Sequence, residues 1–271
     1  MSLTPLALLS ALGSLSVLLD LYRAPVRDGK WARLNAIALL SWFTLWWATS
    51  SEFASRAMEQ LPLHMVAHIF VMFIVPIGLN YSGAGSKMAR MLFTSGQFPM
   101  SRWSASKLNH PVLAFVLLNG VMVASHLPPV FNATMQSTWA MDWLMEPAFL
   151  FSGIFFFSFI VQGPQPSREA KLRWQLLLVL GTMLEMLVLA MSMSIFTKVA
   201  WYPMMNSAMG NMTGKWHPSA HDFSQQQLAA AILWVCGDFW AVPCLVVIVR
   251  RIMARDGGLL AALDRQSARF S

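Results

Sequence analysis

Seven long stretches of the chain lose nearly all of their charged residues, and the polar residues bunch between them. The apolar stretches run approximately over residues 4–21, 34–51, 62–80, 110–127, 140–162, 173–197 and 224–249. A helix rising 1.5 Å per residue needs roughly 20 apolar residues to cross a hydrocarbon layer about 30 Å thick, and each stretch approaches that length. The pattern predicts an all-α integral membrane bundle of seven transmembrane helices. Little is left for a separate soluble domain, so residues 1–271 read as one transmembrane domain. The first stretch has no basic residue before it and no convincing cleavage pattern after it, and is expected to be a retained span.

Composition agrees: 56% of the residues are hydrophobic and 11% charged, outside the usual soluble range. Charge then orients the bundle. Arg23, Arg27, Lys30 and Arg33 share one side with Lys87, Arg90, Arg102 and Lys107, with Arg168, Lys171 and Arg173, and with Arg250, Arg251, Arg255, Arg265 and Arg269. The other side holds only Arg56, Lys198 and Lys215. Basic residues accumulate in cytoplasmic loops, which predicts the N-terminus outside and the C-terminus cytoplasmic. The formal net charge of +7 is therefore a topology signal. Its expected partner is anionic membrane lipid. No nucleic acid is expected, because no polar domain carries clustered basic and aromatic residues.

Cys236 and Cys244 both fall in the last stretch and read as small packing residues. No internal repeat or low-complexity tract is visible. The long basic-side loop contains an amphipathic segment near Met88 to Phe93, readable as a surface-lying helix or as plain connection.

The remaining polar residues are unevenly placed. In "LPLHMVAHIFVMFIVPIGL", His64 and His68 stand four apart at the outer end of the third stretch, on one helical face. His126 ends the fourth stretch on the same side, Asp142 and Glu146 open the fifth, and His217, His221 and Asp222 lead into the seventh. Neighbouring helices lie about 8–10 Å apart, so these side chains can meet near the outer surface. Imidazole and carboxylate in this pattern suit a transition metal or a proton relay. The alternatives are interfacial histidines satisfied by water or carbonyls, and helix caps at Asp142 and Asp222.

Methionine sharpens the metal reading. The outer segment "YPMMNSAMGNMTGKWHPSAHDF" holds Met204, Met205, Met209 and Met212 with two histidines. Thioether sulfur is a soft ligand that selects Cu(I), so copper is the expected metal; a loop folded onto the membrane or a partner is the alternative. Met183, Met186, Met191 and Met193 lie inside the sixth stretch and read as gap fillers. Glu185 and Asp238 are acids within apolar stretches, able to handle protons or to stay neutral between helices.

The succession "HMVAHIFVMFIVPIGL", "LNHPVLAFVLL", "HLPPVFNAT", "EPAFLFSGIFFF", "WYP" and "HDFSQQQLAAAILWV" resembles the multi-span CtaG-like family of cytochrome c oxidase assembly proteins, from about Leu61 to Asp238. The resemblance implies a non-enzymatic role at the bacterial inner membrane, helping copper reach a haem-copper oxidase, with oxidase subunits or copper chaperones as partners. By position, His64, His68, His126 and Asp222 match residues of the family's motifs. Glu146 stands where the family tends to have histidine, which makes a harder site. The expected metal ligands are His64, His68 and His126, with Glu146, Asp222, His217, His221 and the four loop methionines in support. Two other classes stay open: a metal transporter using Glu185 and Asp238 as an inward path, and a structural subunit of a respiratory complex.

Overall fold

The computed structural model describes residues 4–23, 29–85, 87–88, 110–161, 171–202 and 220–255, with Ala254 and Arg255 described as backbone alone. Among the described residues every element is helical. In chain order these are α1 (Pro5–Arg23), α2 (Gly29–Ser50), α3 (Glu52–Ala57), α4 (Leu61–Ser82), α5 (Pro111–His126), α6 (Pro128–Met135), α7 (Thr138–Phe157), α8 (Leu172–Ser194) and α9 (Ala220–Arg255).

A helix occupies each of the seven predicted stretches. Of these, α1, α4, α7, α8 and α9 are long and apolar enough to cross a membrane, and α5 with α6 qualifies as a pair bent by 75°. The bend has a local cause: Leu127 precedes Pro128 and Pro129, and its ψ of 129° is the extended geometry that a following proline imposes. Helix α2 is long enough at 22 residues, but it opens on Lys30 and Arg33, and Asn, Ser and Thr dilute its apolar face.

Long-range contacts show that the long helices alternate in direction. His126, ending α5, meets His68 near the start of α4. Asn80, near the end of α4, donates to the carbonyl of Ile154 in α7. At that end Lys87 pairs with Asp20 of α1, and Arg251 donates to the carbonyl of Ile160. The predicted basic side therefore forms one end of the bundle, and the histidines lie at the other.

Helix α4 is the spine. It packs against α2, α7 and α9, and 67% of its apolar window is buried, against 17% for the peripheral α1. Both α4 and α7 contain a π-helical turn, Phe70–Ile74 and Met141–Met145, each ending two residues before a proline, Pro76 and Pro147. Proline has no N–H for the carbonyl four residues back, and a locally wider turn accommodates the missing bond. In α4 the carbonyl of Met72 lies against Gly153 of α7, where any side chain would collide with it and with Pro76. The α4–α7 approach depends on that missing side chain. Helix α4 then closes on Gly83, whose φ of 83° is the left-handed geometry that suits glycine.

Overpacking at a contact of this kind costs about 1–3 kcal/mol. Gly153→Val should therefore lower the melting temperature of the detergent-purified protein clearly. The same substitution at Gly120, which has open space around it, should leave the melt near wild type apart from the helix preference of valine.

Candidate metal centre

Helix α4 begins at Leu61 with Pro62 in its first turn, where a missing N–H costs nothing, so His64 and His68 fall on one regular α-helical turn. Both imidazoles point inward, 3% and 8% exposed, with ring centroids 4.1 Å apart. The third ring, His126, is 3% exposed and lies 5.9 Å from His68. Phe131 of α6 packs edge-on against His64, and Phe149 of α7 packs on His68. Three histidines from two helices thus share one apolar chamber.

Their hydrogen bonds are incomplete. His64 bonds the backbone of Ala57, but its Nε2 is buried without a partner. Neither ring nitrogen of His68 has a partner. His126 Nδ1 lies 2.6 Å from the carbonyl of Met122, a contact that requires the proton on Nδ1. The Nε2 of that neutral tautomer carries a lone pair, and 3.2 Å away it faces Met65 Sδ, another lone-pair donor. Two acceptors in contact gain nothing from each other. Both lone pairs are close enough that a small outward shift would let them face one ion.

These residues fit a soft metal: uncommitted imidazole nitrogens and a thioether are the donors that Cu(I) prefers. Among the described residues, though, no three His, Cys, Asp or Glu side chains are already gathered around one point as a metal site. A bound ion would draw on Met65 as well as the histidines.

The other predicted residues are placed as follows. Glu146 sits in α7 at the end of the π-helical turn, with Oε2 buried and no hydrogen bond to the histidines. Asp222 is buried in the first turn of α9, at the histidine end of the bundle, while His221 beside it is exposed. His217, Met204, Met205, Met209 and Met212 lie outside the described residues. Asp142 does not cap the fifth helix; Ser137 does, accepting from the Ala140 N–H.

Sequence reasoning missed four neighbours. Met65 was hidden by standing between two histidines in an apolar run. Phe131 forms the roof, and Tyr202 packs beside it at 4.3 Å while its hydroxyl donates to the carbonyl of His126 at 2.7 Å. Burial holds the Tyr202 phenol above its ordinary pKa, which keeps this donor protonated. Gln226 clamps the same strap of chain: its Oε1 accepts from the Trp201 N–H at 2.6 Å and its Nε2 donates to the Met193 carbonyl at 2.7 Å. The signal for Tyr202 and Gln226 was in the motifs "WYP" and "DFSQQQ", although neither side chain belongs to a metal-ligand pattern.

The fold and site together define a helical membrane protein with a buried histidine–methionine chamber at one end. Residues 17–255 match the family described as cytochrome c oxidase caa3 assembly factor (Caa3_CtaG), and the chain belongs to that family. No curated protein and no solved structure matches it.

Tyr202→Phe should cost about 1 kcal/mol by melting, the worth of one hydrogen bond. The phenol's folded pKa is raised, so its contribution is complete below about pH 10 and fades as pH rises towards the folded value. The melting difference between wild type and Tyr202→Phe should accordingly shrink in strongly alkaline buffer. Gln226→Leu, which strips partners from two backbone groups, should cost more, about 2–3 kcal/mol, and should speed amide exchange at Trp201.

Proposed function

We propose that this assembly factor receives copper in the chamber formed by His64, His68, His126 and Met65 and passes it to a maturing haem-copper oxidase. In this reading α2 is also a span, seven helices cross a bacterial plasma membrane, and the N-terminus and the histidine end face outward. The observation that supports it most directly is the set of buried imidazole nitrogens without partners beside a methionine sulfur.

The chemistry follows from the donors. Copper is cargo here, and a neutral chamber of imidazole and thioether favours Cu(I) over harder ions. The lone pair of His126 Nε2 is aimed by the Nδ1 bond to Met122, the kind of outer contact that orients metal-ligating histidines. His68, with no bond at either nitrogen, is free to turn as an ion enters. The methionine-rich segment containing Met204, Met205, Met209 and Met212 serves as the capture arm, with His217 and His221. Glu146 and Asp222 tune the chamber's polarity, and oxidase subunits or copper chaperones take the cargo on.

A second reading, metal or proton transport, is favoured by one observation. Both carboxylate oxygens of Glu185 are buried in α8 without a partner, and so is Asn119 Oδ1, although Asn119 donates to Thr182 one helical turn before Glu185. These are acceptors in want of a donor, and a moving cation or proton would meet them.

Copper content after loading under reducing conditions separates the readings. Wild type should hold close to one copper, and His64→Ala with His68→Ala should hold almost none at an unchanged melt. Met65→Leu, which keeps the volume and removes the sulfur, should weaken Cu(I) binding about tenfold, the lower end expected for a change in a metal's surroundings. A wild type without copper would overturn the proposal. Copper uptake into vesicles that Glu185→Gln abolishes would favour the transporter.

A further inference from the structure

The histidine chamber leaves one acid of the bundle unaccounted for. Asp238 of α9 is exposed on the flank of the bundle, beside exposed Trp234 and Phe239. It stands about midway between Gln227 and Arg250, the polar residues that bound the apolar stretch, roughly 17 Å along the helix from each. That places a carboxylate at the middle of the hydrocarbon layer, facing outward. Ionisable groups at this depth almost always face the bundle interior or a partner.

Among the described residues no cation serves it. The ion pairs among the described residues are Arg56 with Glu52 and Lys87 with Asp20, both near the ends of the bundle. None of the seven apolar stretches carries a lysine or arginine between its ends. A second copy of the chain would therefore bring no counter-charge to this depth, and its chamber histidines are buried. A phospholipid headgroup does not reach it either.

The surface around Asp238 has the form of a seat. Helices α8 and α9 frame a groove of about 140 Å³ lined by Met183, Leu184, Leu187, Trp234 and Gly237 with the carboxylate. Gly237 forms the floor, packed against Met186 of α8, and Met183 is an adaptable wall. We propose that this groove docks a transmembrane helix of a client protein carrying one basic side chain at mid-membrane, which pairs with Asp238. The proposal rests on the assembly role, since such a factor must hold membrane-embedded oxidase components, but it does not depend on copper.

The test uses full-length protein in phosphatidylcholine vesicles with fluorescent polyleucine helices bearing a central Lys, Leu or Asp. The Lys helix should associate with wild type roughly five- to thirty-fold more tightly than the Leu helix, the range of one interhelical polar contact. Asp238→Leu and Asp238→Asn should abolish that preference. Because Asp238 faces lipid, Asp238→Leu should keep or raise the melting temperature and keep copper loading, while lowering the yield of active oxidase in cells. Equal binding of the Lys and Leu helices by wild type, or full oxidase yield with Asp238→Leu, would overturn the proposal. Failure of the copper reading would instead appear as loss of copper with helix binding intact.

Discussion

A neutral imidazole carries one N–H and one lone pair, and in this protein three such rings must account for both where water has little access. Each buried nitrogen left unmatched costs about 1–3 kcal/mol. The structure matches only part of the demand: His126 spends its N–H on Met122 and His64 bonds Ala57, while His68 has nothing. A chamber built for stability alone would hold leucine or phenylalanine at these positions. The surrounding structure, with Phe131 and Phe149 against the rings and Tyr202 tied to the His126 carbonyl, holds the unmatched nitrogens together.

That concentration depends on the spine helix. Helix α4 is buried by neighbours on several sides, which fixes the rotation of the whole His64–His68 turn. The π-helical turn below the histidines shifts the helical phase by one residue, which brings Asn80 round to the side of α4 that carries His68, and both residues meet α7. One helix thereby serves the chamber at one end and binds Ile154 in α7 at the other. Pro76, the Met72 carbonyl and Gly153 meet at one close contact that sets how near α4 and α7 approach.

The helices and the histidine pairing were legible in the sequence because lipid demands long apolar runs and an α-helix sets residues four apart on one face. The family's motifs marked His126 as well. Less visible was everything that depends on a break in regularity. Periodicity gives no warning of a π-helical turn, so Asp142 and Glu146 looked like a simple i, i+4 pair, and Ser137 was not recognised as the cap. Met65 was not singled out, since a thioether in an apolar run has no sequence signature of its own. The helices depart from seven plain apolar spans where polarity and proline interrupt the runs, at α2 and at the α5–α6 bend.

The strap from Ile195 to Tyr202 connects the chamber to the rest of the molecule. Gln226 of α9 grips the Trp201 N–H and the last turn of α8, Asn132 of α6 donates to the Trp201 carbonyl at 3.5 Å, and the strap's own Tyr202 donates to the His126 carbonyl of α5 at 2.7 Å. The Gln226 contacts are short and the Asn132 contact is long, so the α6 side is the weaker attachment. Helix α6 also carries Phe131, the aromatic roof over His64, and joins α5 through the Leu127 bend. Loosening at the Asn132 contact alone would leave the strap tied to α5, because Tyr202 still donates to the His126 carbonyl at 2.7 Å, so roof and strap are held as one unit over the histidines.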